Sequence, residues 1–384
     1  MNWRILTLLL LIGLTLLFGI SLYEPANGGV LSASTRLEAP PQDISGFARA
    51  IEPWDWRFPR DHGAHPDFQT EWWYYTGVAA NAEGRLFGFQ FTIFRRAIKP
   101  LAPPSSSEFR ASDIYMAHFT VSDIENGDFY HDLRYSRGGA GLAGAQVDPV
   151  YRVWLENWAV SALDDNVNKT HITAASEDYA VDLHLYQMKQ PALHGQGGLS
   201  PKSAEIGNAS YYYSLTRLLT EGAITIGGET HIVSGFSWMD HEFSTSALGG
   251  DAQGWDWFGL IFDDNTELMV GQIRQVDGGV EPTFGGLFVD ADGETRYLDA
   301  ADFSIAVTDT WRSPHNDAVY PAGWEISIEG DQGFQIQVAP LQADQELHSA
   351  DIVYWEGAVE ISGGKTGYGY AELTGYVGSM QNRF

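Results

Sequence analysis

Residues 72–95 read WWYYTGVAANAEGRLFGFQFTIFR, and this stretch decides the fold. Two runs rich in aromatic and β-branched residues, 72–80 and 85–95, flank a polar turn at 81–84. This pattern predicts two antiparallel strands joined in a hairpin. The same turn signal recurs further along the chain, at residues 226–229, 263–266 and 290–293. Because long helical periodicity is scarce, the sequence predicts an all-β protein built from antiparallel meanders.

The hairpin occurs a second time, which predicts two related units. An ungapped alignment at an offset of 182 residues places Trp73 on Trp255 and Tyr75 on Trp257. The further identities that it brings together are Gly77 with Gly259, Leu86 with Leu268 and Gln90 with Gln272. Since meanders hide their edges by closing on themselves, we expect two lipocalin-like antiparallel β-barrel domains.

The chain of 384 residues is long enough for two domains of ordinary size. We expect the N-terminal domain at 56–243 and the C-terminal domain at 244–384. Residues 30–55 are polar and contain several prolines, which predicts a linker. Residues 1–29 carry a basic residue before an uninterrupted apolar run, the pattern of a signal peptide or an uncleaved membrane anchor. The protein is therefore expected to be exported, either periplasmic or anchored, and to contact a membrane only through this segment.

The composition excludes several functions. The 22 Lys and Arg residues face 50 Asp and Glu residues, so a formal charge of −28 repels phosphate backbones and nucleic acid is not expected as a partner. The chain has no cysteine, which excludes disulfides, thiolate metal sites and a Cys nucleophile. His62 and His65, with Asp61 and Asp67, are a weak metal-site pattern, because Pro66 interrupts it and no third clear ligand is present. No dinucleotide fingerprint or P-loop is found. We therefore predict neither a metal nor a cofactor.

Aromatic residues are abundant, with 13 Trp, 18 Tyr and 20 Phe. Large rings suit strands and also line apolar cavities, so the interior is expected to hold an apolar small molecule or a lipid. Side chains alternate along a strand, which places Glu71, Trp73 and Tyr75 on one face. A carboxylate between two rings has a raised pKa if it is unpaired. The alternative is that Glu71 pairs with a nearby arginine.

A second segment, residues 237–243, places titratable residues side by side. Trp238, Asp240 and Glu242 share one face of a strand, and His241 joins them only if the strand bulges. Three adjacent titratable groups are costly to bury unless they are paired or used. This segment is therefore either a reaction site or a polar network that holds the two barrels together.

A third segment, residues 254–258, reads GWDWF. Trp255 and Trp257 lie on one face of a strand and Asp256 on the other. Two indole rings beside carboxylates are able to stabilise a developing carbocation through cation–π attraction. Residues 187–208, rich in Gly and Pro, are predicted to form a long loop and possible lid over a barrel mouth.

Seven strings in order resemble one known family. They are FPRDHGAHPDFQTEWWYYTG, AHFTVSD, YYYSLTRLLTEG, VSGFSWMDHEF, GWDWFGL, VYWEGAVEISG and GYGYAELTGY, which together span 58–376. This set resembles the AttH / carotenoid 1,2-hydratase-like family, often described as predicted secreted hydrolases. The resemblance implies two lipocalin-like β domains with the functional cavity in or between them.

The resemblance also implies a chemistry and a site. Carotenoid 1,2-hydratases add water across a terminal isoprenoid double bond without a cofactor. Their functional residues lie in the segment that matches 238–243 and in the Trp-led strand after it, which implies Asp240 and His241 first and then Trp255 and Trp257. This sequence departs from the hydratases at Glu242-Phe243.

The leading hypothesis is a cofactor-free hydro-lyase that acts on an isoprenoid-like or lipid molecule. Asp240 or Glu242 would protonate the alkene, and His241 or Glu71 would orient and deprotonate the water. The residues expected to bind the substrate are Trp73, Tyr75, Trp238, Trp255, Asp256 and Trp257.

A rival hypothesis comes from a different class of protein, a periplasmic lipid carrier associated with an ABC-type export permease. Carboxylates projecting into the cavity favour an enzyme, and rings alone favour a carrier. Hydrolysis ranks last, because no G-x-S-x-G elbow or other nucleophile set is found.

Overall fold

The structure, a computed structural model, describes residues 44–100, 107, 111–246, 248–331, 333–349 and 352–380. The predicted signal peptide or anchor and the first part of the linker lie outside these residues. Among them, no helix is long and apolar enough to cross a membrane, and one turn of 3-10 helix spans Arg60–His62. Everything else that is regular is β-structure, arranged in two antiparallel sheets.

The first sheet contains the strands from residue 70 to residue 244. They are β1 (Thr70–Asn81), β2 (Leu86–Ala97), β3 (Asp113–Asp123), β4 (Asp128–Arg137), β5 (Ala143–Gln146), β6 (Arg152–Leu155), β7 (Trp158–Ala162), β8 (Lys169–Ala175), β9 (Tyr179–Gln187), β10 (Ala192–Leu193), β11 (Leu199–Pro201), β12 (Ala209–Ile226) and β13 (Glu229–Ser244). Their order is β4-β3-β2-β1-β13-β12-β9-β8-β7-β6-β5, with β10 and β11 beside β12.

This sheet curls into a nearly closed barrel. Strands distant in the order share one core, because inward-facing rings from both sides meet in the centre. Phe119 on β3 stacks on Tyr179 of β9 with ring centroids 4.7 Å apart, and its ring edge meets Trp158 of β7. The tyrosine hydroxyl of Tyr179 also donates to the carbonyl of Phe119. Burial of these large rings is the main stabilisation of the barrel.

The second sheet contains the strands from residue 252 to residue 373. They are β14 (Ala252–Phe262), β15 (Glu267–Gln275), β16 (Gly286–Val289), β17 (Thr295–Leu298), β18 (Phe303–Arg312), β19 (Val319–Ile328), β20 (Phe334–Pro340), β21 (Glu346–His348), β22 (Val353–Gly363) and β23 (Gly367–Leu373). The order β17-β16-β15-β14-β23-β22-β20-β19-β18 forms a half-barrel around its own core, with β21 beside β22.

The all-β expectation is thus confirmed, as two lipocalin-like antiparallel units of which the first is more closed than the second. The internal repeat was misaligned, however. Trp73 and Tyr75 point into the first barrel, whereas Trp255 and Trp257 point towards the contact between the sheets. A shift of one residue moves every side chain of a strand to the opposite face of the sheet. Tryptophans matched in sequence therefore need not lie on equivalent faces of the two sheets.

The two sheets pack through the outer face of β1–β3 and the strands β14, β22 and β23. Gly88 on β2 lies at this contact, against Ala358 of β22 and Tyr370 of β23. Polar side chains also cross this contact, because Gln90 and His118 both hydrogen-bond to the hydroxyl of Tyr354. The contact is therefore a mixture of rings and buried polar groups.

Two segments expected to be loose are packed. In the described part of the predicted linker, Trp54 contacts the rings of Tyr211 and Phe243, so residues 44–55 do not run free over the barrel. Residues 187–208 are not a simple loop, because β10 and β11 add to β12. Lys189 in this segment donates to Glu267 of β15 and ties the segment to the second sheet.

Gly88 offers a test of this close approach. A Cβ at Gly88 would lie 2.9 Å from the Cβ of Ala358 and 2.9 Å from the hydroxyl of Tyr370. We expect Gly88→Ala to lower the free energy of unfolding by about 1–3 kcal/mol, because the sheets must separate to admit the methyl group. Gly250→Ala, where a Cβ meets nothing within 4 Å, should change it by less than about 0.5 kcal/mol. Equal urea midpoints for the two variants would contradict this packing.

Candidate functional site

Strand β13 distributes its titratable residues between two interiors. It pairs with β1 without a register shift from Ser244 to Val233, so no bulge turns His241 towards its neighbours. His241 faces the core of the first barrel, whereas Asp240 and Glu242 face the second sheet. Since both sides of β13 are covered, all three side chains are buried.

On the barrel side, Glu71 is the centre of a charged network. Its carboxylate accepts hydrogen bonds from His65 at 2.7 Å, His241 at 2.9 Å and Arg95 at 2.9 Å. Burial by itself would raise the pKa of Glu71, but Arg95, His65 and the hydrogen bonds outweigh it and hold that pKa well below its ordinary value. The expectation of a raised pKa at Glu71 is therefore wrong, and the alternative of an ion pair with a nearby arginine is confirmed.

This network fastens the segment before β1 to the barrel. Arg95 also donates to the backbone carbonyls of His65 and Phe68, and Trp73 donates to the carbonyl of His62. With its bonds to Glu71 and Asp113, Arg95 thus directs four of its five N–H groups at fixed acceptors. The network therefore has a structural role, because it holds the segment before β1 against the barrel.

On the other side of β13, a cavity of about 90 Å³ lies between the two sheets. Its walls combine aromatic rings with three carboxylates and one lysine. The lining residues are Trp72, Tyr74, Phe94, Lys202, Tyr212, Asp240, Glu242, Leu248, Trp255, Trp257, Ile273, Phe284 and Glu372. Such a combination of apolar walls and few convergent polar groups is typical of a small-molecule site.

Asp240 is the best-defined acid of this cavity. It accepts hydrogen bonds from Tyr212 at 2.8 Å, from Ser214 at 2.5 Å and from the indole of Trp238 at 2.6 Å. These donors favour the ionised form, but burial outweighs them and raises the pKa of Asp240 to about 7. Asp240 is therefore an acid whose pKa lies near neutrality.

A second acid faces Asp240 from the other sheet. Glu372 on β23 accepts from the indole of Trp255 at 2.9 Å, and burial raises its pKa to about 7. Directly opposite Glu372 on β22 is Glu356, which is fully buried and whose pKa burial raises well above its ordinary value. The hydroxyls of Tyr74 and Tyr354 lie beside its carboxyl and offset the effect of burial only in part. An acid in this setting is held neutral.

Glu242 differs from these acids because it has a cation beside it. The ammonium of Lys202 lies 3.0 Å from the carboxylate of Glu242. The same ammonium lies over the rings of Tyr212 and Phe284, 5.1 and 4.8 Å from their centroids. Lys202 comes from the segment that was expected to be a lid, so that segment supplies a wall of the cavity.

Ser214 is arranged as a hydrogen-bond donor and not as a nucleophile. Its hydroxyl donates to Asp240, so the proton in its 2.6 Å contact with His194 comes from the imidazole. A serine nucleophile needs an imidazole that accepts its proton. Burial also lowers the pKa of His194 well below its ordinary value, so the ring is a poor base. This set does not support hydrolysis.

The expected site residues are divided among three places. Asp240, Glu242, Trp255 and Trp257 line the cavity, and Trp238 lies behind Asp240. The structure does not bring Glu71, His241, Trp73 and Tyr75 to it, because they face the first core. Asp256 points away from the cavity and accepts from Arg274 and Tyr376.

The cavity residues that the sequence reasoning missed fall into two groups. Trp72 and Tyr74 were recognisable, because they lie on the opposite face of β1 from Trp73. Tyr212, Lys202 and Glu372 come from distant segments, and no local pattern relates them to Asp240.

Comparisons with known proteins support the observed fold. A sequence profile of the family described as AttH-like matches residues 49–376. A crystal structure of an AttH-like protein from Nitrosomonas europaea is similar with a TM-score of 0.77 and 36% identity, and covers 86% of this chain and 100% of that one. Kievitone hydratase of Fusarium solani subsp. phaseoli is 22% identical over 230 residues, which cover 57% of this chain. The matched part spans 63% of the length of that relative.

Kievitone hydratase from Nectria haematococca has a solved structure with the same fold. Its TM-score is 0.64 at 15% identity, and the likeness covers 88% of this chain and 98% of that one. At this identity the similarity concerns the fold alone.

The raised pKa of Asp240 predicts a pH dependence of stability. An acid whose folded pKa of about 7 exceeds its ordinary value of 3.8 stabilises the fold fully below pH 3.8, and this stabilisation is lost as the pH rises through about 7. We expect Asp240→Asn to remove this loss of stability. Between pH 4 and pH 8, the free energy of unfolding of the variant should rise relative to that of the wild type by as much as about 4 kcal/mol. Urea unfolding at several pH values measures this difference.

The control for this experiment is Asp182→Asn, at an exposed position on β9. It should keep the pH dependence of the wild type. A constant difference between wild type and Asp240→Asn across this pH range would show that Asp240 is ionised throughout.

Proposed function

Because the chain belongs to the AttH-like family, we propose that it is an exported enzyme that adds water to a carbon–carbon double bond. The proposed substrate is an apolar molecule, isoprenoid-like or a lipid, and no cofactor takes part. The observation that carries the proposal is Asp240, a buried acid with a pKa of about 7 in the wall of an aromatic cavity. A general acid works best when its pKa is near the working pH.

The first step is proton transfer. The protonated carboxyl of Asp240 gives its proton to one carbon of the double bond, and the positive charge develops on the other carbon. Tyr212, Ser214 and Trp238 donate hydrogen bonds to the carboxylate that remains. These donors are already in place before the reaction, so they stabilise the developing anion without reorganisation.

The cation is stabilised by the walls. Trp257 and Trp255 come from β14 and Trp72 from β1, so the rings approach from both sheets. The faces of indole rings attract a positive charge, and Glu242 adds a carboxylate nearby. In the proton transfer that forms this cation, the π bond of the alkene breaks, a C–H bond forms and no group leaves.

The second step is attack by water. The water oxygen bonds to the cationic carbon, and its surplus proton passes to Glu372, which faces Asp240 across the cavity. In this proposal Glu372 takes the role that was expected for His241 or Glu71, because those residues face the first core. The overall reaction joins one alkene and one water into an alcohol. The proton on Glu372 then returns to Asp240 through solvent.

The size of the cavity suggests how the substrate enters. Its volume of about 90 Å³ is well below the roughly 300–1,000 Å³ of pockets that enclose a whole drug-sized ligand. A long apolar molecule would therefore insert only its end. This favours a terminal double bond. The related protein, kievitone hydratase, is a hydratase, which supports the same class of reaction.

A second cavity favours the alternative function of a lipid carrier. It lies at the other end of the contact between the sheets and has a volume of about 480 Å³, and its walls include Val78, Leu86, Phe236 and Ile261. In this alternative the protein would hold a lipid in the periplasm for an ABC-type export permease. A lipid recovered unchanged from the purified protein would support it.

The enzymatic proposal is tested with acyclic isoprenoids that carry terminal double bonds, incubated in water labelled with heavy oxygen. We expect a product heavier by one labelled water, detected by mass spectrometry. Asp240→Asn should lower its rate of formation by about 10²–10⁴-fold, because the general acid is lost. The wild-type rate should fall as the pH rises through about 7, where Asp240 loses its proton.

Asp182→Asn, exposed on β9, should react at the wild-type rate. Full turnover by folded Asp240→Asn would remove Asp240 from the mechanism. If the wild type binds the isoprenoids and returns them unlabelled, the carrier function replaces the enzymatic one.

A further inference from the structure

A second cluster of titratable residues lies apart from the cavity, around β21 of the second sheet. It contains His315, Glu346 and His348, and one ligand atom of each lies within 4.8 Å of the others. We propose that these three residues bind a divalent transition-metal ion of the zinc type. Two imidazoles and one carboxylate are a ligand set that suits such an ion.

The two imidazoles each use one ring nitrogen in a hydrogen bond, and the two rings stack with their centroids 3.8 Å apart. Nε2 of His315 donates to the carboxylate of Asp344 at 3.0 Å, which leaves the lone pair on Nδ1. Nδ1 of His348 donates to the backbone carbonyl of Glu346 at 3.1 Å, which leaves the lone pair on Nε2. Histidines that bind metals typically donate their second N–H to a carboxylate or a carbonyl in this way. Each ring therefore presents one free nitrogen in a defined tautomer.

The carboxylate is held in the same manner. Glu346 is fully buried and accepts hydrogen bonds from Asn316 at 2.7 Å, from Tyr320 at 2.7 Å and from Ser313. All three donors are neutral, and none of the lysines and arginines in the described ranges forms a salt bridge with Glu346. A buried carboxylate is costly without a positive partner. A bound cation supplies that charge.

Two other clusters of this composition are built differently. In the first barrel, Glu71 is hydrogen-bonded directly to His65 and His241. The guanidinium of Arg95 already supplies the positive charge beside this carboxylate. On β8 and β9, His171 contacts Asp182 directly at 2.8 Å in an exposed position. At Glu346, by contrast, no hydrogen bond joins the carboxylate to either imidazole.

The site lies beside the first sheet, since the ring centroid of His131 on β4 is 4.6 Å from that of His348. A water molecule would take the fourth position around a tetrahedral ion. Because the planes of the two imidazoles are nearly parallel, one ring must turn before both lone pairs point at one ion about 2.0–2.1 Å away. His315 and Asp344 are 31% and 40% exposed, so solvent reaches the site.

The test uses the full chain after treatment with a chelator, titrated with Zn²⁺ alone against a competing colour indicator. We expect one strong site per chain. His348→Ala and Glu346→Gln should each abolish strong Zn²⁺ binding, because each removes a ligand. Asp344→Asn, which alters only the orientation of His315, should weaken it less, within about 10–100-fold. Zn²⁺ should raise the melting temperature of the wild type and not that of His348→Ala.

His184→Ala is the matched control, because it removes a histidine of the exposed cluster on β8 and β9. It should retain the strong site. Circular dichroism establishes that each variant is folded before titration. Unchanged Zn²⁺ affinity in folded His348→Ala, or binding that is lost only in His184→Ala, overturns the proposal. The experiment involves no isoprenoid, so its outcome is independent of the proposed hydration.

Discussion

The alternation of side chains along β13 is the constraint on which the rest of the structure depends. This strand has β1 on one side and β12 on the other, and both faces of its second half, residues 237–244, are buried. Neighbouring residues of a strand point in opposite directions. Asp240 and His241 are therefore neighbours in the sequence, but their side chains lie in separate interiors. One interior is the core of the first barrel, and the other is the cavity between the sheets.

The two interiors shift the pKa of a buried carboxylate in opposite directions. Glu71 and Asp240 are both buried, so burial raises the pKa of each. Glu71 has Arg95 beside it, and the ion pair reverses the effect of burial. Asp240 has only neutral hydrogen-bond donors, and its pKa stays near 7. The presence or absence of a cation thus separates a structural carboxylate from one that is suited to proton transfer.

Much of the fold was predictable because its signals are local. The turn at 81–84 and the alternation of rings predict the hairpin, and both depend only on neighbouring residues. The same alternation predicts that Asp240 and Glu242 share a face. The internal repeat failed for a related reason, since an alignment of Trp73 with Trp255 ignores the face on which each residue lies.

The sequence by itself determined the all-β architecture and the grouping of residues on each strand face, because β-structure sets side-chain direction residue by residue. Only the tertiary structure decided which interior each face meets. Lys202, Glu372 and Trp257 reach Asp240 from three distant segments, and Arg95 reaches Glu71 from the next strand. These contacts, and the charges that they bring together, follow from how the sheets curl and pack. No local pattern in the sequence records that packing.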